Sequence, residues 1–315
     1  IDPLWYHLQL NPNDNQGVRT TLLDYLRQVE DEGGIKRLYQ LFPWAGELDD
    51  IEIGESLLDR SLAWVITNTN IAQSLYNAQV YSLQELYQMP LGDLKKIKGI
   101  GASTAAHLQA KAYAYMIRSA HIFSELPSST QQPMIVLDVR VHSGYKPQRP
   151  WGFGLQYPDG RCRYFLVEKD HSLETSVSVE LFPSHEHIWQ ALLAEQQATG
   201  LDFMCWGKQI PRHLKATASI DVVETLVLRD LHKLLFQSIA FPLKTLGLKE
   251  VSTYLGAKSW LEEPDLGYPE TFYFSWKSEP NLRNLQRTLD AIERRLDATT
   301  FIYHWAIKHA EDPLN

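Results

Sequence analysis

Two short stretches hold the residues best placed to do chemistry. In "LKKIKGIGASTAAHL", Leu94 to Leu108, the cations Lys95, Lys96 and Lys98 precede and enter a Gly-Ile-Gly turn, and a helix-forming run follows. Gly99 and Gly101 permit positive φ and a close backbone approach. A helix beginning near Ser103, capped by Ser103 or Thr104, would turn its first N–H groups outward toward an anion. Between Gly92 and Arg118 there are five Lys or Arg and one Asp, a net of +4. The corner is suited to phosphate; the alternative is a helical pair that serves packing alone. In the second stretch, "MIVLDVR", a continuous apolar run predicts a buried strand. Asp138 and Arg140 then share one face, because strand side chains repeat every second residue. Arg140 could pair with Asp138 or Glu293, or hold a phosphate.

The elements that carry these residues belong to a chain of 315 residues, 44% hydrophobic, long enough for a sizeable core and more than one domain. Its net charge of −8 excludes a general nucleic-acid coat, so any contact with DNA or RNA must be a local patch. Cys162 and Cys205 are the only cysteines, which excludes a disulfide framework and a four-cysteine zinc site and predicts a reducing cytoplasm. No apolar run approaches the ~18 residues of a membrane span, so no membrane partner is expected. The start at Ile1 suggests a chain cut from a longer one.

Residues 1–60 are acidic and read as a helical lead-in or the tail of an upstream domain, with a loop at Pro43 to Asp50. Residues 61–120 are helical by pattern. Residues 121–132 include "SELPSSTQQP" and read as a linker. From 133 to 310 the period changes. A strand at "MIVLDV", a hairpin around Pro158-Asp159-Gly160, and strands at "TSVSVELF" and "LDFMCW" are expected, with helices at His185 to Gln197, Asp221 to Phe236 and Asn281 to Trp305. The fold class is α/β, a helical part followed by a mixed-sheet domain.

The Gly-Ile-Gly corner resembles the helix-hairpin-helix family, whose hairpin binds the DNA backbone without reading sequence. Val65 to Tyr87 looks like a worn first copy, with Thr67, Asn68 and Thr69 where Gly-Ile-Gly would stand. The order "FPSHEHIWQALLA", "DFMCWGKQIPRHL", "RDLHKLL" to "STYLG" and "LDATTFIYHW" resembles the ribonuclease-H-like, DEDD-exonuclease-type domain of the predicted RecB-family nucleases. That resemblance implies a tandem helix-hairpin-helix followed by a ribonuclease-H-like sheet. It also implies carboxylates that share two Mg²⁺ or Mn²⁺ ions. Asp138 matches the first acid, while Arg140, Ile210, Arg294 and Arg295 stand at acid positions. Glu293 and Asp297 lie two residues away from Arg295, about 200° around a helix.

The expected function is therefore nucleic-acid binding or scaffolding within a larger complex, by a pseudo-nuclease with no metal cofactor and at least one protein partner. The alternatives are an active Mg²⁺- or Mn²⁺-dependent exonuclease, and a protein–protein adaptor without nucleic-acid contact. Weaker candidates have bland readings: His185 and His187 as a helix start, Asp221 and Glu224 as helix-end charge balance, and "LEEPDLGYPE" as an acidic loop. Trp151, Trp206, Trp260 and Trp276 are core residues by default and interface anchors in the alternative.

Overall fold

The computed structural model describes residues 2–10, 18–41, 62, 66, 68–128, 132–142, 144, 148–169, 179–243, 245–257 and 269–311. Pro43 to Asp50, Thr67, the start of the strand expected from Thr175, Trp260 and most of the acidic stretch from Leu261 lie outside them. The described residues form fourteen helices and eight strands, a mixed α/β chain in two compact units. One unit comprises Ile1–Ser124 and Ser238–Leu246, the other Glu125–Gln237 and Gly247–Pro313.

The first unit runs α1 (Asp2–Leu10), α2 (Val18–Gln28), α3 (Glu32–Leu41), α4 (Thr69–Asn77), α5 (Leu83–Gln88), α6 (Leu91–Leu94) and α7 (Ala102–Ile117). Leu8, Leu22, Leu26 and Leu38 share one core with Leu75, Leu83, Leu94, Ile100 and Leu108. The acidic lead-in is thus one body with the hairpin helices, because its leucines need the same apolar partners. The segment expected to be a linker begins with β1 (His121–Ile122), which pairs antiparallel with β8 (Ile239–Ala240). Ala110 and Ala114 of α7 pack with Ala240, so small side chains let helix and ribbon meet closely.

In the second unit six strands lie in the order β5-β4-β3-β2-β6-β7. β2 (Ile135–His142), β3 (Arg149–Gln156) and β4 (Cys162–Val167) form an antiparallel meander. β5 (Val179–Phe182) runs parallel to β4. β6 (Phe203–Cys205) runs parallel to β2, and β7 (Leu228–Asp230) parallel to β6. The β3–β4 turn forms at Pro158-Asp159-Gly160, where Gly160 takes φ +84°. α8 (His185–Thr199), α9 (Gln209–Thr217) and α10 (Ile220–Thr225) bury Trp189, Leu214 and Val222 with Leu137, Val139, Phe153 and Phe165. α11 (Leu231–Phe236) and α12 (Leu248–Tyr254) follow. α13 (Pro269–Ser278) and α14 (Leu282–Glu311) cover the opposite face, where Trp276, Leu289, Ile292 and Leu296 meet Val136, Tyr164 and Leu166.

The helix expected over Asp221 to Phe236 is interrupted by β7. A short apolar run such as Leu226 to Leu228 fits strand or helix equally by period, and the parallel ladder to β6 decides it. A bulge leaves Trp151 unpaired between the pairs Arg140–Gly152 and Val141–Pro150. The extra residue turns Trp151 onto Tyr273, ring centroids 4.4 Å apart. Trp151 and Trp276 are core, 4% and 1% exposed, not interface anchors.

Gly152 and Gly154 let α14 lie close on the sheet. A Cβ at Gly154 would overlap Ile292 Cγ2 and stand 2.8 Å from Leu296 Cδ1. Gly154→Val should therefore lower unfolding stability by about 2–3 kcal/mol in urea melts, despite the strand preference of valine. Gly92→Ala, where a Cβ meets nothing within 4 Å, should cost nothing by the same measurement.

Candidate nucleic-acid interface

The hairpin follows from a three-residue rhythm. Leu94 and Ile100 are buried and Ile97 is half-buried, while Lys95, Lys96 and Lys98 between them are exposed. α6 stops at Leu94. The Ile97 carbonyl then accepts from Ile100 N–H at 3.0 Å and closes a tight turn. Gly99 holds φ +87° in that turn, a backbone region where a side chain is strained.

α7 begins at Ala102 with the extended Gly101 as its N-cap, so Ser103 and Thr104 do not cap it. No side chain satisfies the cap, and the first intrahelical bond runs from Ala105 N–H to Gly101 O at 2.9 Å. The N–H groups of Ala102, Ser103 and Thr104 are left over. A Cβ at Gly101 would meet nothing within 4 Å, so the space beside that end is open. Lys96 pairs with Asp93 at 2.7 Å, while Lys95 and Lys98 have no partner among the described residues.

The segment expected to be a first copy has a different helix start. Asn68 caps α4, accepting from Asn70 N–H at 3.0 Å and Ile71 N–H at 3.3 Å. Its side chain uses the donors that α7 leaves open. The positive count also shrinks in three dimensions. Lys111 is 7% exposed, and burial pushes its ammonium down to about 8. That inward lysine had no distinguishing sequence signal beyond its place among alanines.

Asp138, Arg140 and Arg295 come together on the α14 face of β2. Asp138 is 4% exposed; its Oδ1 accepts from Arg295 Nε at 2.8 Å, and its buried Oδ2 has no hydrogen-bond partner among the described residues. Burial lowers the pKa of Arg140; the charge of Asp138 opposes that, Arg295 adds to it, and Glu270 opposes it. His142 lies further along β2 and pairs with Glu270 at 2.7 Å. Ile210 is not part of this group, since it packs in the core of the other layer. Glu293 faces Tyr164 and Cys162; burial raises its pKa and pushes the Cys162 thiol up to about 11, helped by the Glu293 charge. Asp297 accepts from Gln156 Nε2 at 2.9 Å.

One carboxylate held by a guanidinium, with a second guanidinium beside it, does not fit a pair of divalent ions, which need several anionic oxygens. Asp230 caps α11 and accepts from Gly207 N–H at 2.9 Å, a structural use. His187 lies 2.8 Å from Ser184 Oγ at the start of α8. No protein-family model matches this chain, and no curated protein matches it.

The Asp138–Arg295 pair is mostly buried, so removing one partner should hurt more than removing both. Arg295→Met should cost about 3 kcal/mol in chemical denaturation. Asp138→Leu combined with Arg295→Met should recover most of that loss, and equal losses in both variants would show that the pair is not what matters.

Proposed function

We propose that this chain is a nucleic-acid-binding or scaffolding protein that grips the phosphate backbone through the hairpin at Lys95 to Thr104. In this reading, the mixed-sheet unit is a ribonuclease-H-like domain that no longer cuts. The observation that carries the first half is the α7 N-terminus. Three leftover N–H donors stand beside open space, behind a turn bearing the unpartnered Lys95 and Lys98. Oriented amides and the positive end of the helix dipole favour an anion, and exposed lysines add charge without sequence preference.

The second half is supported by strand order and by charge. A three-strand antiparallel meander, two further strands parallel to its first, and helices on both faces are what the ribonuclease-H-like resemblance leads one to expect. The Arg140 and Arg295 guanidiniums beside Asp138 disfavour divalent metal there. Such a protein acts through its surfaces, within a larger complex whose other members it helps to hold on the nucleic acid.

Few phosphates contact so small a corner, so affinity should be weak and steeply dependent on salt. For about three lysine–phosphate contacts, log K should fall with log salt with a slope of roughly −2 to −3. A Lys95/Lys96/Lys98→Glu variant should lose at least about tenfold in affinity at low salt by fluorescence anisotropy, and most of that slope. Unchanged binding would leave the hairpin a packing element only. With Mg²⁺ or Mn²⁺ added, the oligonucleotide should stay intact, and cleavage lost in Asp138→Ala would overturn the non-catalytic half.

A further inference from the structure

Beside the hairpin, the first unit has an open cleft of about 430 Å³, within the range of small-ligand sites. Tyr87, Leu91, Gln109, Tyr113, His121 and Phe123 line its walls. The Tyr87 and Tyr113 rings stack with centroids 5.6 Å apart, and Tyr113 meets His121 edge-on at 4.7 Å. Tyr87 is 40% exposed, and Tyr113, His121 and Phe123 are only half-buried. The core face of α7 is a different one, made by Ala105, Leu108, Ala112 and Tyr115. Phe123 also packs against the small core of Ala110, Ala114 and Ala240, while Tyr87 and Tyr113 belong to neither core.

The cleft is aligned with the hairpin. Ala106, Gln109 and Tyr113 continue the helical stripe that starts at Ala102 and Ser103 in the open first turn, at spacings of three and four residues. From Ser103 the stripe climbs about 4.5 Å to Ala106 and about 15 Å to Tyr113. Gln109 donates its amide nitrogen to the Met89 carbonyl, and its own carbonyl oxygen has no partner among the described residues. That oxygen can accept from the exocyclic amine of a base. Burial lowers the pKa of His121, so the cleft itself is neutral near pH 7 and the attraction for phosphate comes from the neighbouring lysines.

We propose that this cleft takes an unpaired nucleobase of a single-stranded nucleic acid whose backbone lies on the hairpin. The proposal rests on the phosphate-binding reading of that hairpin. It gives the protein a preference for single strands, since a base must leave its stack to lie on an aromatic ring.

The test uses the full chain, fluorescence anisotropy, and three probes of equal length: a mixed-sequence single strand, its duplex, and an abasic single strand with the same backbone. Wild type should bind the single strand about tenfold or more tighter than either of the others. Tyr87→Ala with Tyr113→Ala should remove that advantage and leave duplex binding unchanged, while Tyr87→Phe with Tyr113→Phe should keep it. Equal wild-type affinity for the abasic and normal strands would overturn the proposal, even if the alanine variant does not fold. Loss of all binding in the Lys95/Lys96/Lys98→Glu variant, with no effect of the tyrosine changes, would sink the cleft alone. No effect of the lysine changes on any probe would sink the hairpin reading as well.

Discussion

Side chains set how closely a helix can approach a sheet, and Gly152 and Gly154 present none to α14. Ile292 and Leu296 occupy the space where a Cβ of Gly154 would stand, and Ile292 Cδ1 would lie 3.3 Å from a Cβ of Gly152. That approach sets the register of a 30-residue helix against β2 and β3. Arg295 then reaches Asp138, Asp297 reaches Gln156, and Glu293 is aimed at Tyr164. A shift of two residues along α14 would have offered Asp138 an acid instead of a guanidinium. The charge at the centre of this unit is therefore a consequence of packing as much as of residue identity. A buried carboxylate that already has a cationic partner has little reason to bind another.

The hairpin of the first unit obeys a different constraint. Apolar residues at every third position drive the turn inward, and the residues between them have nowhere to go but out. Gly99 supplies the one backbone angle the turn needs, and Gly101 starts a helix without blocking its end. Comparison with α4 shows how little separates an open helix start from a satisfied one: one asparagine side chain takes up the donors.

Much of this was legible in the residues. The apolar run before Asp138, the Pro-Asp-Gly turn, the long last helix and the lysine–glycine corner all follow local rules of period and turn chemistry. Non-local facts were not legible. The two-residue strands β1 and β8 leave no period to read, and they join segments far apart in the chain. Arg295 meets Asp138 across 157 positions, and nothing near either residue announces the other. Ile210 was expected beside Asp138 by family order, yet the alternation of β2 puts its core on the other side of the sheet. Lys111 was counted with the positive corner, although the helix turns it inward. Tyr87, Tyr113 and His121 lie too far apart in sequence to suggest the cleft they share.

Amide chemical shifts report directly on the open end of α7. In a ¹H–¹⁵N titration of the full chain with a short oligonucleotide at low salt, the amides of Gly99 and Gly101 to Thr104 should move most, in a way that high salt reverses. Asn70 and Ile71, whose N–H groups are already taken by Asn68, should stay still. If the α7 amides do not move while the oligonucleotide is bound elsewhere, the hairpin is not the phosphate site and the account fails.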